Sequence, residues 1–354
     1  MKKLLSERNI KIISYALVCI FSVILLLKFP SLSAEGIRKG LELCAGTMIP
    51  SLFPFLVISS FAVSSGLLEL SGSKTEKIFR KTMGLSPAAG MIVFFSVWSG
   101  FPVGCSMASS LLSQNKISVD EAKRIMLSSV NAGPAFVICA VGTMMLSSLR
   151  AGIIIYASLT IASLIITFIS RFTLPDCGEK NKTVSSPSDF SEALVTSVYN
   201  ASKSMFSICG WILLFSCFLN IMSGKIENEN ISTIFNAIAE VSLGCKNFSK
   251  TASSVILSAV IGWGGLCVHC QVLPFVRKSG LKVRYFFCGR LLHSMLSALI
   301  CAGLVKIFPC DISVFSSGTP AISQTFAASA PAAAGLLIMC AIFVLDLDTH
   351  KKMC

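Results

Sequence analysis

Residues 88–112 read AAGMIVFFSVWSGFPVGCSMASSLL, and residues 253–276 read SSVILSAVIGWGGLCVHCQVLPFV. Both are long and apolar enough to enter a bilayer, whose hydrocarbon takes about 20 helical residues to cross. Both are also interrupted in the middle, the first at Ser99-Gly100-Phe101-Pro102-Val103-Gly104 and the second at Gly262-Trp263-Gly264-Gly265. Glycine loosens a helix and proline stops or kinks one, so neither stretch is expected to be a single continuous helix. Backbone groups freed by such a break are costly in hydrocarbon unless protein or water satisfies them. The two stretches therefore predict an all-α polytopic membrane protein with broken or re-entrant helices.

Further apolar stretches lie on both sides. Upstream are Ile12–Leu27 and Leu41–Leu68, the latter carrying Pro50 and Pro54. Ile125–Leu146 is broken again at Asn131-Ala132-Gly133-Pro134, and Gly152–Phe172 follows. Beyond a polar stretch, Pro175–Glu192, come Val198–Met222, a shorter Ile231–Gly244, Tyr285–Phe308 and Ala321–Leu345. About eight to ten membrane-embedded segments are expected. Residues 1–40 read as an N-terminal span and connector, 41–172 as a first membrane half, 173–197 as a polar linker, 198–308 as a second half, and 309–354 as a C-terminal span and tail. The first span reads as uncleaved, because Leu32 is bulky for the −3 position of a cleavage site after Ala34. A shift of 164 residues lays Gly100 over Gly264 and Ser118 over Lys282, a match of pattern that suggests an inverted repeat.

Composition agrees with a membrane protein. Of 354 residues, 54% are hydrophobic and 13% charged, about half the charged share of a soluble domain. The formal net charge of +13 comes from short basic clusters beside apolar runs, such as Lys74, Lys77, Arg80 and Lys81. That pattern fits the positive-inside bias and anionic headgroups, so the expected partner is the lipid bilayer and no nucleic acid. The 15 cysteines are scattered singly, apart from Cys267 and Cys270 around His269. One such pair lacks half of a zinc site, so no metal or cofactor is expected. The sequence has no HExxH, GxSxG or phosphate loop, and no nucleophile with a partner, so an enzyme is not expected.

Paired broken segments mark the midplane sites of secondary transporters, where half-helix N-termini present free N–H groups to anions. Ser99, Gly100, Pro102 and Gly104, with Asn131 and Gly133, are the candidates in the first half; Gly264, Gly265, His269 and Gln271 are those in the second. Ionisable residues within apolar segments are few, which makes each informative. Glu240 is the candidate for a coupling proton or cation, and His269 and Arg290 for meeting a carboxylate. For Arg290, snorkelling to the interface is the competing expectation; for Glu240, a place on a surface helix.

Four strings in order, IPSLFPF at 49–55, SGFPVG at 99–104, NAGPAF at 131–136 and GGLCVHCQV at 264–272, resemble sporulation integral membrane proteins of the YlbJ type, which carry the nucleoside-recognition "Gate" domain. The resemblance runs from about Leu41 to Phe308. It implies transport of a small organic anion, dipicolinic acid foremost, across the outer forespore membrane during sporulation. It leaves open a non-transporting membrane scaffold for spore envelope assembly, or a nucleoside-type carrier, because the domain does not settle the substrate.

Overall fold

A computed structural model describes residues 7–67, 73–173, 189–224, 226, 228–249 and 253–309. The expected apolar stretch Ala321–Leu345 and most of the polar linker lie outside these residues. Every regular element among the described residues is helical, as the segment pattern predicted. Four helical stretches are long and apolar enough to cross a membrane: Leu149–Phe172, Phe190–Ser223, Ser254–Lys278, which contains the interruption at Gly264, and Val283–Ile307. Two bent pairs, Ile12–Lys28 with Pro30–Gly46 and Glu76–Met83 with Pro87–Ser99, raise the number to six if each is one span. Shorter apolar helices occupy Leu52–Ser64, Val103–Ser113 and Ala135–Met145.

Helix α1 (Glu7–Lys28) ends where Pro30 begins α2 (Pro30–Leu43), and the pair bends by 98°. Proline cannot continue a helix from before but suits its first turn. From α2 the chain passes through a π-helical turn, Cys44–Met48, into α3 (Ile49–Ser64). Pro50 lies in the first turn of α3 and Pro54 inside it. The widened turn sits just where Pro50 would press on the carbonyl four residues back, so the prolines are absorbed by a π-bulge rather than breaking the span.

The corner between amphipathic α4 (Ser73–Met83) and α5 (Pro87–Ser99) turns by 79°. Two charged residues of α7 (Val119–Ser128) hold it. Arg124, buried, donates to the carbonyls of Met83 and Gly84 at the end of α4 and to Ser170 Oγ at 3.1 Å. Cations suit the carbonyl end of a helix. Glu121 closes a capping box with Ser118 at the start of α7, and its second oxygen accepts from the amide of Ser86 at 2.7 Å.

After α6 (Val103–Ser113) and α7, the chain unwinds over residues 129–134 and re-forms as a π-helical segment, Ala135–Met145. Helix α8 (Leu149–Thr173) packs on that segment, and α9 (Phe190–Ser223) packs on α2 and α3. In the second half come α10 (Glu229–Ala239), α11 (Val241–Phe248), α12 (Ser254–Trp263), α13 (Gly265–Lys278) and α14 (Val283–Ile307). Helix α14 packs against both α12 and α8, and α13 runs between α6 and α9, so elements of the two halves interleave.

Where α8 crosses the π-helical segment, Gly152 and Gly142 face each other. A Cβ on Gly152 would stand 2.9 Å from the Gly142 Cα and 3.0 Å from the Ile138 Cα. Gly152→Ala is expected to destabilise the protein by about 1–3 kcal/mol through overpacking, read as a lower unfolding midpoint in detergent. Gly303→Ala, where nothing lies within 4 Å, should leave the midpoint unchanged.

Candidate substrate cavity

Four interruptions meet at the centre of the molecule. Gly100, between α5 and α6, has φ 77°, which glycine tolerates best. A Cβ there would lie 3.1 Å from the amide nitrogen of Gly133 in the unwound stretch after α7. In the second half, Gly264 and Gly265 both take positive φ between α12 and α13. A Cβ on Gly265 would lie 2.9 Å from the Val241 nitrogen and 3.1 Å from the Glu240 Cα, where α10 gives way to α11. The breaks therefore pair within each half, and Gly264 faces the Phe101 ring across the middle.

A small cavity of about 30 Å³ opens among them. Its walls are mostly apolar, including Met48, Leu52, Phe101, Phe136, Ile208 and Ile212. Glu240 and Gln271 supply polar side chains. The starts of helices also reach it. Ala132, Gly133 and Phe136 lie at the start of the π-helical segment, Val241 opens α11, Cys267 and Val268 lie in the first turn of α13, and Phe101 precedes α6. Helix N-termini carry unpaired N–H groups and partial positive charge. At α11 that charge is already met by Glu240, whose side chain accepts from the Leu243 amide at 2.7 Å. Glu240 is buried, so it lies at an internal break and not on a surface helix.

Of the residues singled out in the sequence, Gly133, Glu240 and Gln271 line the cavity. Gly100, Gly264 and Gly265 shape the breaks around it. Ser99 bonds Ser59 of α3 at 2.6 Å, tying the end of α5 to that helix. Pro102 follows Phe101 through a cis peptide, and Gly104 and Asn131 pack behind the cavity against Ser96.

His269 and Arg290 have their donors turned to backbone. Arg290 is 1% exposed, so it does not snorkel. Its guanidinium donates to the Val130 carbonyl at 2.7 Å, to the Gly262 carbonyl, and to the Trp263 carbonyl at 3.4 Å. His269 Nε2 lies 2.9 Å from the same Trp263 oxygen, and its ring packs edge-on against Trp263, Phe286 and Phe287. His293, not singled out in the sequence, places Nδ1 3.1 Å from the Gly262 oxygen and Nε2 3.1 Å from that of Leu159. These three side chains close the carbonyl end of α12, while residues at the starts of neighbouring helices line the cavity. Phe101 belongs to the interruption at 99–104, but the rest of the apolar wall was missed in the sequence, because Met48, Leu52 and Phe136 sit among many similar residues.

One relative shares most of the chain's length. It is the sporulation integral membrane protein YlbJ of Bacillus subtilis (strain 168), 23% identical over 342 residues, which takes in 82% of this chain and 83% of that protein. The chain is similar to YlbJ over most of the length of both. The resemblance carried by the four sequence strings thus agrees with a match over most of the YlbJ sequence. No protein-family model matches the chain, and no solved structure does.

Substitution at Arg290 tests what holds the breaks. Arg290→Met would leave the carbonyls of Val130, Gly262 and Trp263 short of donors, at about 1–3 kcal/mol for each buried group left unpaired. The unfolding midpoint in detergent should fall strongly. Arg290→Lys should recover only part of it, since an ammonium cannot span the three oxygens as a planar fork does.

Proposed function

We propose that this protein is a secondary carrier for a small organic anion, dipicolinate foremost, moved across the outer forespore membrane during sporulation by alternating access around the central cavity. The observation that carries this reading is the meeting of four helix breaks from both halves at one cavity, with helix N-termini facing it. Flat apolar walls that include Phe101 and Phe136 suit an aromatic ring, and the partial positive charge of helix starts suits carboxylates. Glu240 stands against a bound anion by like charge, so loading is eased when a proton or cation neutralises it. Its role here is coupling. Gln271 adds a neutral amide that orients the substrate.

A nucleoside-type carrier is the second reading, and one observation favours it. Among the described lining residues the polar side chains are a carboxylate and an amide, which match the donor and acceptor edge of a nucleobase. Uptake by proteoliposomes separates the two. Labelled dipicolinate is expected to accumulate in vesicles carrying the protein, with Gln271→Leu and Gly265→Ala lowering the initial rate about tenfold or more, equal to about 1.4 kcal/mol. Accumulation of nucleosides instead would move the assignment to the second reading. Uptake of neither above empty vesicles would leave the membrane scaffold.

A further inference from the structure

Asn131 is buried behind the cavity, in the unwound stretch that follows α7. Its Nδ2 lies 3.3 Å from Ser96 Oγ, 3.1 Å from Ser163 Oγ and 3.2 Å from the Ser128 carbonyl oxygen. The two hydroxyl protons are already committed. Ser96 donates to the Val93 carbonyl at 2.7 Å, and Ser163 donates to the Ser128 carbonyl at 2.6 Å. Neither serine has a proton for Asn131, so the amide must turn its nitrogen to both. Its oxygen is then a pure acceptor, and Asn131 Oδ1 is buried with no donor in the protein. Two residues earlier, Ser129 Oγ is likewise buried and without a partner.

Unmatched buried polar atoms are rare in folded proteins, and two on one short stretch ask for a ligand. Gly104 gathers the surroundings. A Cβ on it would stand 2.6 Å from both the Ser129 carbonyl oxygen and the Ser96 Cβ, and 2.8 Å from the Ser129 Cβ. Ser96, Ser129 and the Ser129 carbonyl are therefore brought together over a residue with no side chain. The oxygens available are an amide, a hydroxyl and a carbonyl at the C-terminal end of a half-helix, where the dipole is negative. Such ends and unwound carbonyls are where transporters coordinate sodium.

We propose that this stretch is a sodium-binding site, with Asn131 Oδ1 and Ser129 Oγ as ligands and the Ser129 carbonyl beside them. The ligand oxygens are all neutral, and the guanidinium of Arg290 occupies the next carbonyl, that of Val130. A divalent ion is thereby disfavoured, since no carboxylate offsets its second charge. The ion's part in transport rests on the carrier reading, whereas its binding does not.

Ser129→Ala is the telling variant, because the hydroxyl it removes has no protein partner to lose. Thermal unfolding of the purified protein is measured without substrate, in sodium, potassium, choline or calcium chloride at equal ionic strength. Sodium alone should raise the midpoint, in line with ligand stabilisation of the folded state. Ser129→Ala should keep its midpoint in choline and need at least tenfold more sodium for the same rise. Ser254→Ala, which removes another buried hydroxyl without a partner, should respond as the parent does. No difference between sodium and potassium, as a buried water would give, overturns the site, and so does an unchanged sodium response in Ser129→Ala. Sodium binding without dipicolinate or nucleoside uptake would overturn the carrier reading and leave the site standing.

Discussion

A carbonyl released at a helix break inside a membrane must find a donor from the protein, and Arg290 is where this chain meets that demand. One guanidinium reaches the Val130 carbonyl in the first half and the Gly262 and Trp263 carbonyls in the second. Burying a cation without an anion is ordinarily prohibitive, but here the partial negative charge of helix ends surrounds it. The breaks in α12–α13 and after α7 are therefore not independent. Each relies on the same side chain, and through it on the placement of α14.

The two ends of the broken helices are treated differently. Carbonyl ends are closed by fixed donors: Arg124 at α4, and Arg290, His269 and His293 at α12. Several N–H ends, by contrast, reach a common cavity, and α11 alone of these carries its own carboxylate, Glu240. Donor-saturated carbonyls give rigidity. This division is why the basic residues that drew attention in the sequence stand behind the cavity rather than in it.

Close backbone contact makes the arrangement possible. Gly100 on Gly133, and Gly265 on Glu240, bring chain to chain at distances that a side chain would prevent. Gly104 does the same beneath Ser129. The same small residues that loosen the helices also let the loosened ends meet.

Much of the fold was legible in the sequence because its signals are local. Runs of apolar residues marked the helices, and Gly100, Pro102, Gly133, Gly264 and Gly265 marked three of the four breaks, since glycine and proline act on their own backbone. The fourth, at Glu240, has no glycine or proline, and only packing against Gly265 shows it. Among candidate site residues, Gly133, Glu240 and Gln271 do face the cavity. What Arg290 and His269 touch was not legible, because their partners are carbonyls, which every residue carries and no sequence distinguishes. The sequence by itself determined that this is a helical membrane protein and where most of its helices break. Tertiary structure alone decided which broken ends meet and which donors close them, because those contacts join residues far apart in the chain through backbone atoms common to all.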